Sequence, residues 1–140
     1  MKLYLYYIGK KRDVHANAIA GDFVQRIGHY CPCHMAEIRP DRFDPWVKHP
    51  NAHKILLDPA GKTLDSPAFA NWLEAAELRA ADLVFLVAGA EGPPAAWRAK
   101  ADTLLSLSAM TYPHELARAM LAEQVYRAYA VLRGHPYPRQ

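Results

Sequence analysis

The spacing of apolar and polar residues changes several times along the chain, and each change marks a predicted element. Residues 2–9, "KLYLYYIG", are rich in Tyr, Leu and Ile and predict a first strand. Asp13 then stands as the cap of a helix running to about His29, with Ile19, Phe23, Val24 and Ile27 on one 3.6-period face. A short strand is predicted over residues 35–38. The stretch "RPDRFDPWVKHPNAH", residues 39–53, carries Pro40, Pro45 and Pro50 and no period, so it reads as a long loop. "KILLD", residues 54–58, is the next strand and ends in the turn "DPAGK".

"DSPAFANWLEAAEL" predicts a helix with Ser66 as its cap and Pro67 at its first helical position. "ADLVFLVAG" is a strand with apolar residues on both faces, the pattern of a parallel sheet covered on both sides. A helix over residues 94–100 leads to the strand "TLLSLS". Pro113 then starts a long helix ending near Arg133, with Gly134 as its stop. Its apolar stripe is Ala117, Leu121, Val125, Ala128 and Leu132, broadened by Leu116 and Met120. Glu115, Arg118, Glu123 and Arg127 form its polar side. Such a helix is either a core element with a solvated face or one whose apolar face buries a partner subunit. Strands alternating with helices predict an α/β fold, a mostly parallel sheet with helices on both faces.

Composition narrows the class. A chain of 140 residues favours a single domain, residues 1–140. At that size about 68% of the unfolded surface is buried, so no disulfide or metal is needed for folding. The net charge of +3 suits a polyanionic partner, and equally suits solubility alone. The apolar run of residues 3–8 is too short for a secretory signal and is followed by Lys10, Lys11 and Arg12. No stretch approaches the ~20 apolar residues of a membrane helix, so no membrane partner is expected. The only cysteines, Cys31 and Cys33, are too close for a disulfide framework, and a cytoplasmic location is expected.

Three loops that follow strands, "LLDPAG", "VAGAEG" and "SLSAMTYP", are rich in small residues or Pro and poor in charge. In open parallel sheets ligands sit beyond the carboxyl ends of strands, so these loops predict a small-molecule pocket built mostly of main chain. Other sites are not supported. The first strand-to-helix turn reads "IGKKRD", without the dinucleotide glycine fingerprint, and "AGKT", residues 60–63, matches only the end of a phosphate-binding loop. "HELAR", residues 114–118, has Arg118 where a zinc helix needs its second histidine, which leaves Glu115 as an acid favouring the helix dipole. "HYCPCHM" groups His29, Cys31, Cys33 and His34 without a second knuckle, and no metal is expected. No serine lies in G-x-S-x-G, and Ser106 and Ser108 read as structural. The tail concentrates His135, Tyr137 and Arg139. It is either a frayed terminus or a place where Tyr stacks on a base and Arg pairs with phosphate.

Taken in order, "LLDPAGKTLDSPAFANWLE", "VAGAEG", "LSLSAMTYPHELARAMLAEQVYRAY" and "HPYPR" resemble the RlmH family, a small branch of the SPOUT methyltransferases. The resemblance runs from about Lys54 to the end, and the first strand and helix agree in character. It implies a C-terminal trefoil knot, a homodimer, and S-adenosylmethionine bent into the knot. The implied activity is methylation of nitrogen 3 of a pseudouridine in 23S ribosomal RNA of the assembled ribosome. Carried over by motif, the cofactor contacts are Leu57, Gly89, Leu107, Ser108, Ala109, Met110, Thr111 and Tyr112. The implied catalytic residues are His135, Tyr137 and Arg139, with the tail of one subunit completing the site of the other. His135 would orient the base or accept a proton, Tyr137 would stack, and Arg139 would hold a phosphate or the developing anion. The chain departs from the family at Ala88, usually Gly, at Pro138, usually His, and in a shorter 39–53 segment. Those departures carry the alternative implied by the same resemblance, a catalytically impaired homologue that binds cofactor or ribosome.

Overall fold

Five strands form one sheet in the order β2-β1-β4-β3-β5, and every neighbouring pair is parallel. A computed structural model describes residues 1–137 of the chain. The strands are β1 (Leu3–Tyr7), β2 (Cys33–Glu37), β3 (His53–Thr63), β4 (Leu83–Val87) and β5 (Thr103–Ser106). The helices are α1 (Val14–Ile27), α2 (Pro45–Lys48), α3 (Ser66–Arg79), α4 (Ala95–Lys100) and α5 (His114–Leu132). The α/β class and the helices on both faces agree with the periodicity of the chain.

The two faces are covered unequally. Leu3, Leu5 and Tyr7 of β1 and Leu83, Phe85 and Val87 of β4 point towards Ile27, Leu73, Leu121 and Val125 of the long helices α1, α3 and α5. Alternate residues, Tyr6, Val84 and Leu86, face a smaller core closed by Trp97 of α4 and by the segment after β2, with Ile38 and Ala52. Period-2 alternation with both faces buried is the signature of a central parallel strand.

Several elements differ from the sequence expectation, each for a local physical reason. Asp65, not Ser66, caps α3: its carboxylate accepts from the Ala68 N–H at 2.8 Å, while the Ser66 hydroxyl donates to Gln124 on α5. The proline-rich segment contains a single helical turn, α2, because the Asp44 carboxylate accepts from Trp46 N–H beside Pro45. The "DPAGK" turn does not end β3. The Asp58 carboxylate closes a tight turn on the Ala60 N–H at 2.9 Å, and the strand then resumes, so that Leu57 and Lys62 both oppose Leu105 of β5. Gly61 lies so close to β5 that a Cβ there would stand 2.5 Å from the Leu104 carbonyl carbon. Ile19 is exposed, while Ala16, Ala20 and Ile27 provide the inner face of α1.

The largest departure is on α5. Glu115 and Arg118, expected on a solvated side, are buried. The Glu115 carboxylate accepts the backbone N–H groups of Arg12 and Asp13, both at 3.0 Å, and the Asn17 amide at 2.6 Å. Arg118 is 1% exposed, lies 3.2 Å from Glu115 and has its guanidinium carbon 3.7 Å from the Tyr7 ring centroid. A buried cation requires such a carboxylate and aromatic face to offset lost hydration. These contacts fasten the start of α5 to the loop between β1 and α1. Backbone donors hold the Glu115 carboxyl down to about 2.

Candidate functional site

Because β4, β3 and β5 are consecutive in the sheet, the turn within β3 at Leu57, Asp58 and Pro59 and the loops after β4 and β5 converge. They enclose a cavity of about 350 Å³, within the size range of small-molecule sites. Of the residues expected to hold a ligand, Leu57, Gly89, Leu107, Ser108, Met110, Thr111 and Tyr112 line it together. Ala109 is exposed and lies outside the lining.

Each loop is shaped by short-range chemistry. After β4, the Gly92 N–H donates to the Gly89 carbonyl at 3.1 Å. Gly89 passes so near the end of β1 that a Cβ would stand 3.1 Å from the Ile8 carbonyl oxygen. After β5, the Ser106 hydroxyl donates to the Ser108 carbonyl at 2.9 Å and the Ser108 hydroxyl accepts the Met110 N–H at 3.0 Å. Serines of this kind replace helix or strand pairing with a local turn. The two hydroxyls read as structural thus set the path of the loop.

The sequence reading missed several lining residues. Asp58 is buried, and Arg98 of α4 reaches it, its Nη2 2.5 Å from Oδ2. This ion pair joins the turn within β3 to the helix that follows the loop after β4. Asp58 was recognisable only as a turn residue, and nothing in the sequence around Arg98 signals its partner. His114 and Ala117, at the start of α5, also line the cavity.

The tail residues lie elsewhere. His135 is exposed, and its Nδ1 accepts the Tyr137 N–H at 3.1 Å. The Tyr137 hydroxyl donates to Glu123, which is also paired with Arg127 at 2.8 Å. Burial, then the Glu123 hydrogen bond, raise the Tyr137 hydroxyl to about 12. Pro138 and Arg139 lie outside the described residues. The tail folds back along α5, with His135 and Tyr137 against Tyr126 and the Tyr137 hydroxyl on Glu123, and neither residue lines the cavity. One chain therefore does not bring His135 and Tyr137 to its own cavity.

Between α1, α3 and α5 lies a second, apolar groove of about 560 Å³, lined by residues that include Ile19, Phe23, Phe69, Leu116 and Met120. Ile19 (49%), Leu116 (43%) and Met120 (36%) are exposed in the chain alone. Among the described residues no group of three or more His, Cys, Asp and Glu is placed to hold a metal ion, and no helix is long and apolar enough to cross a membrane.

Comparison with known proteins gives concordant results. Residues 1–138 match the family described as "Predicted SPOUT methyltransferase". The chain is 64% identical over 139 residues to the ribosomal RNA large subunit methyltransferase H of Solibacter usitatus, covering 99% of this chain and all of that one. It is 34% identical to the protein of the same name from Chromobacterium violaceum, with both chains fully covered. A solved structure of a candidate RNA methyltransferase from Bacillus anthracis shares the fold, with a TM-score of 0.58 at 13% identity, covering 99% of this chain and 98% of that one.

Proposed function

The chain belongs to the ribosomal RNA large subunit methyltransferase H family of SPOUT methyltransferases, and from that premise we propose that it transfers a methyl group from S-adenosylmethionine to nitrogen 3 of a pseudouridine in large-subunit ribosomal RNA of the assembled ribosome. The observation that carries this reading is the cavity formed by the turn within β3 and the loops after β4 and β5, lined by seven of the eight residues that the family's motifs assign to the cofactor.

The lining suits that cofactor. When bound, S-adenosylmethionine supplies an electrophilic methyl group on a positively charged sulfur. The Asp58–Arg98 pair is internally neutralised and most of the remaining lining is apolar or main chain, so little charge opposes a cationic ligand. Leu57, Gly89 and the 107–112 loop would hold and orient it, with main-chain groups at Gly89 reaching the ligand unobstructed by a side chain.

The chain's own chemical contribution is then alignment and proton handling. Nitrogen 3 of pseudouridine carries a weakly acidic proton, so its reaction requires a base or a stabilised anion. His135 orients the base or accepts that proton, Tyr137 stacks on the ring, and Arg139 holds a phosphate or the developing anion. The raised Tyr137 hydroxyl stays protonated at neutral pH, so it remains a hydrogen-bond donor.

Since neither His135 nor Tyr137 lines its own cavity, the tail of one subunit completes the cavity of the other. Homodimerisation would cover the apolar groove flanked by α1 and α5. The same reading includes the family's C-terminal knot, a single domain spanning residues 1–140, and a location in the cytoplasm with the ribosome.

The test is transfer of labelled methyl from S-adenosylmethionine to ribosomes lacking the modification, followed by mass mapping of the RNA. A methyl on a large-subunit pseudouridine is the expected result. No transfer by protein that still binds the cofactor would overturn catalysis and leave the impaired, binding-only homologue.

A further inference from the structure

A third cavity, of about 570 Å³, adjoins the cofactor cavity and shares with it the wall formed by Gly89, Ala90, Gly92, Pro93 and His114. Its far side is the loop after β1, with Lys10 and Arg12, and its lining contains one carboxylate, Glu91. No carboxylate among the described residues forms an ion pair with Lys10 or Arg12. Two exposed cations facing a cleft without partners are groups whose charge is available to an anion.

The loop that carries these cations is held firmly in place. Glu115 accepts the backbone N–H of Arg12 and of Asp13, and Arg118 braces Glu115 from the core. The Gly9 backbone meets the His114 ring, since a Cβ at Gly9 would stand 3.7 Å from its Nε2. The protein therefore buries a carboxylate and an arginine to fix a loop whose exposed Lys10 and Arg12 line a cleft. Methyl transfer requires donor and acceptor about 3–3.5 Å apart, so the acceptor must lie against a wall of the cofactor cavity. The third cavity meets that requirement and is large enough for a nucleotide.

We propose that this cleft receives the target nucleotide and that Lys10 and Arg12 bind its flanking phosphodiesters, positioning the base at the shared wall. The assignment rests on the RNA-methylation reading above and adds to it the phosphate-binding residues of the cofactor-holding subunit. Lys11 is exposed beside them but does not line the cleft.

The experiment titrates wild-type protein and the Lys10→Ala/Arg12→Ala variant with unmodified ribosomes over a salt series, and measures S-adenosylhomocysteine binding by calorimetry in parallel. Each phosphate contact contributes a slope of roughly 0.7 in log affinity against log salt on single-stranded nucleic acid. Loss of two contacts should flatten the slope by about 1.4 and weaken binding about tenfold or more. Cofactor affinity should be unchanged, and Lys10→Arg/Arg12→Lys should restore the slope. An unchanged slope would overturn the proposal, as would a parallel loss of cofactor binding, which would assign the loop to the shape of the domain. Failure of wild-type protein to methylate ribosomes would instead sink the functional reading, while the salt slopes would still decide the phosphate assignment.

Discussion

The Glu115 carboxylate accepts the backbone N–H of Arg12 at 3.0 Å, joining the first turn of the last helix to the loop after the first strand. The consequence is pH-dependent stability. The folded carboxyl sits at about 2, below its ordinary 4.5. A depressed folded value stabilises above the unfolded value, and that contribution is lost as pH falls from about 4.5 towards 2. Glu115→Gln should therefore be less stable than wild type near neutral pH. Denaturant midpoints should show the gap closing progressively in acid, and a gap independent of pH would contradict the assignment.

Gly61 tests the way β3 resumes beside β5. The Cβ of Gly61→Ala would meet the Leu104 backbone at 2.5–2.6 Å, backbone that cannot swing aside like a side chain. Overpacking of this kind costs about 1–3 kcal/mol. Urea unfolding should report a loss of that order, and a change below about 0.5 kcal/mol would show that β5 can move.

Arg98 reaches the buried Asp58 carboxylate in the wall of the proposed cofactor cavity. Arg98→Ala leaves that carboxylate without its cation, at a cost of about 1–3 kcal/mol, and loosens the turn within β3 that the carboxylate closes. Thermal unfolding should record the loss, and calorimetry should show weaker S-adenosylhomocysteine binding. Adding Asp58→Asn should recover much of the stability. A double variant no better than the single one would mean that Arg98 acts through something other than Asp58.

Tyr137 binds Glu123 through its hydroxyl while its ring packs 4.9 Å, centroid to centroid, from Tyr126. Tyr137→Phe keeps the ring and removes the hydrogen bond, worth about 1 kcal/mol. Methyl transfer should fall at least about tenfold with cofactor affinity unchanged if, as proposed, this bond holds the tail in position for the partner's site. Equal loss of cofactor binding and turnover would place Tyr137 in its own subunit's pocket.

The three segments that line the cavity beyond β4 were legible in the sequence because their chemistry is local. Small residues, Pro and the serines of residues 106 and 108 specify turns wherever they occur after a strand. The parallel sheet was legible for a similar reason, since the alternation of Leu83 to Val87 buries both faces. Glu115 and Arg118 were not legible. Their burial depends on Arg12 and Asp13, about a hundred residues earlier in the chain, and a helical period alone assigns both to solvent. The turn at Asp58 was read correctly as a turn, but the continuation of β3 depends on β5 pairing with both Leu57 and Lys62. The Asp58–Arg98 pair and the cleft beside Lys10 likewise exist only once distant segments meet.

The most direct measurement is a titration of isotopically labelled protein with S-adenosylhomocysteine, followed through backbone amide resonances. If the turn within β3 and the loops after β4 and β5 hold the cofactor, one equivalent per chain should saturate the shifts, which should concentrate at Leu57, Gly89 and residues 107–112. Saturable shifts centred elsewhere, or no binding at all, would contradict the cavity as the cofactor site.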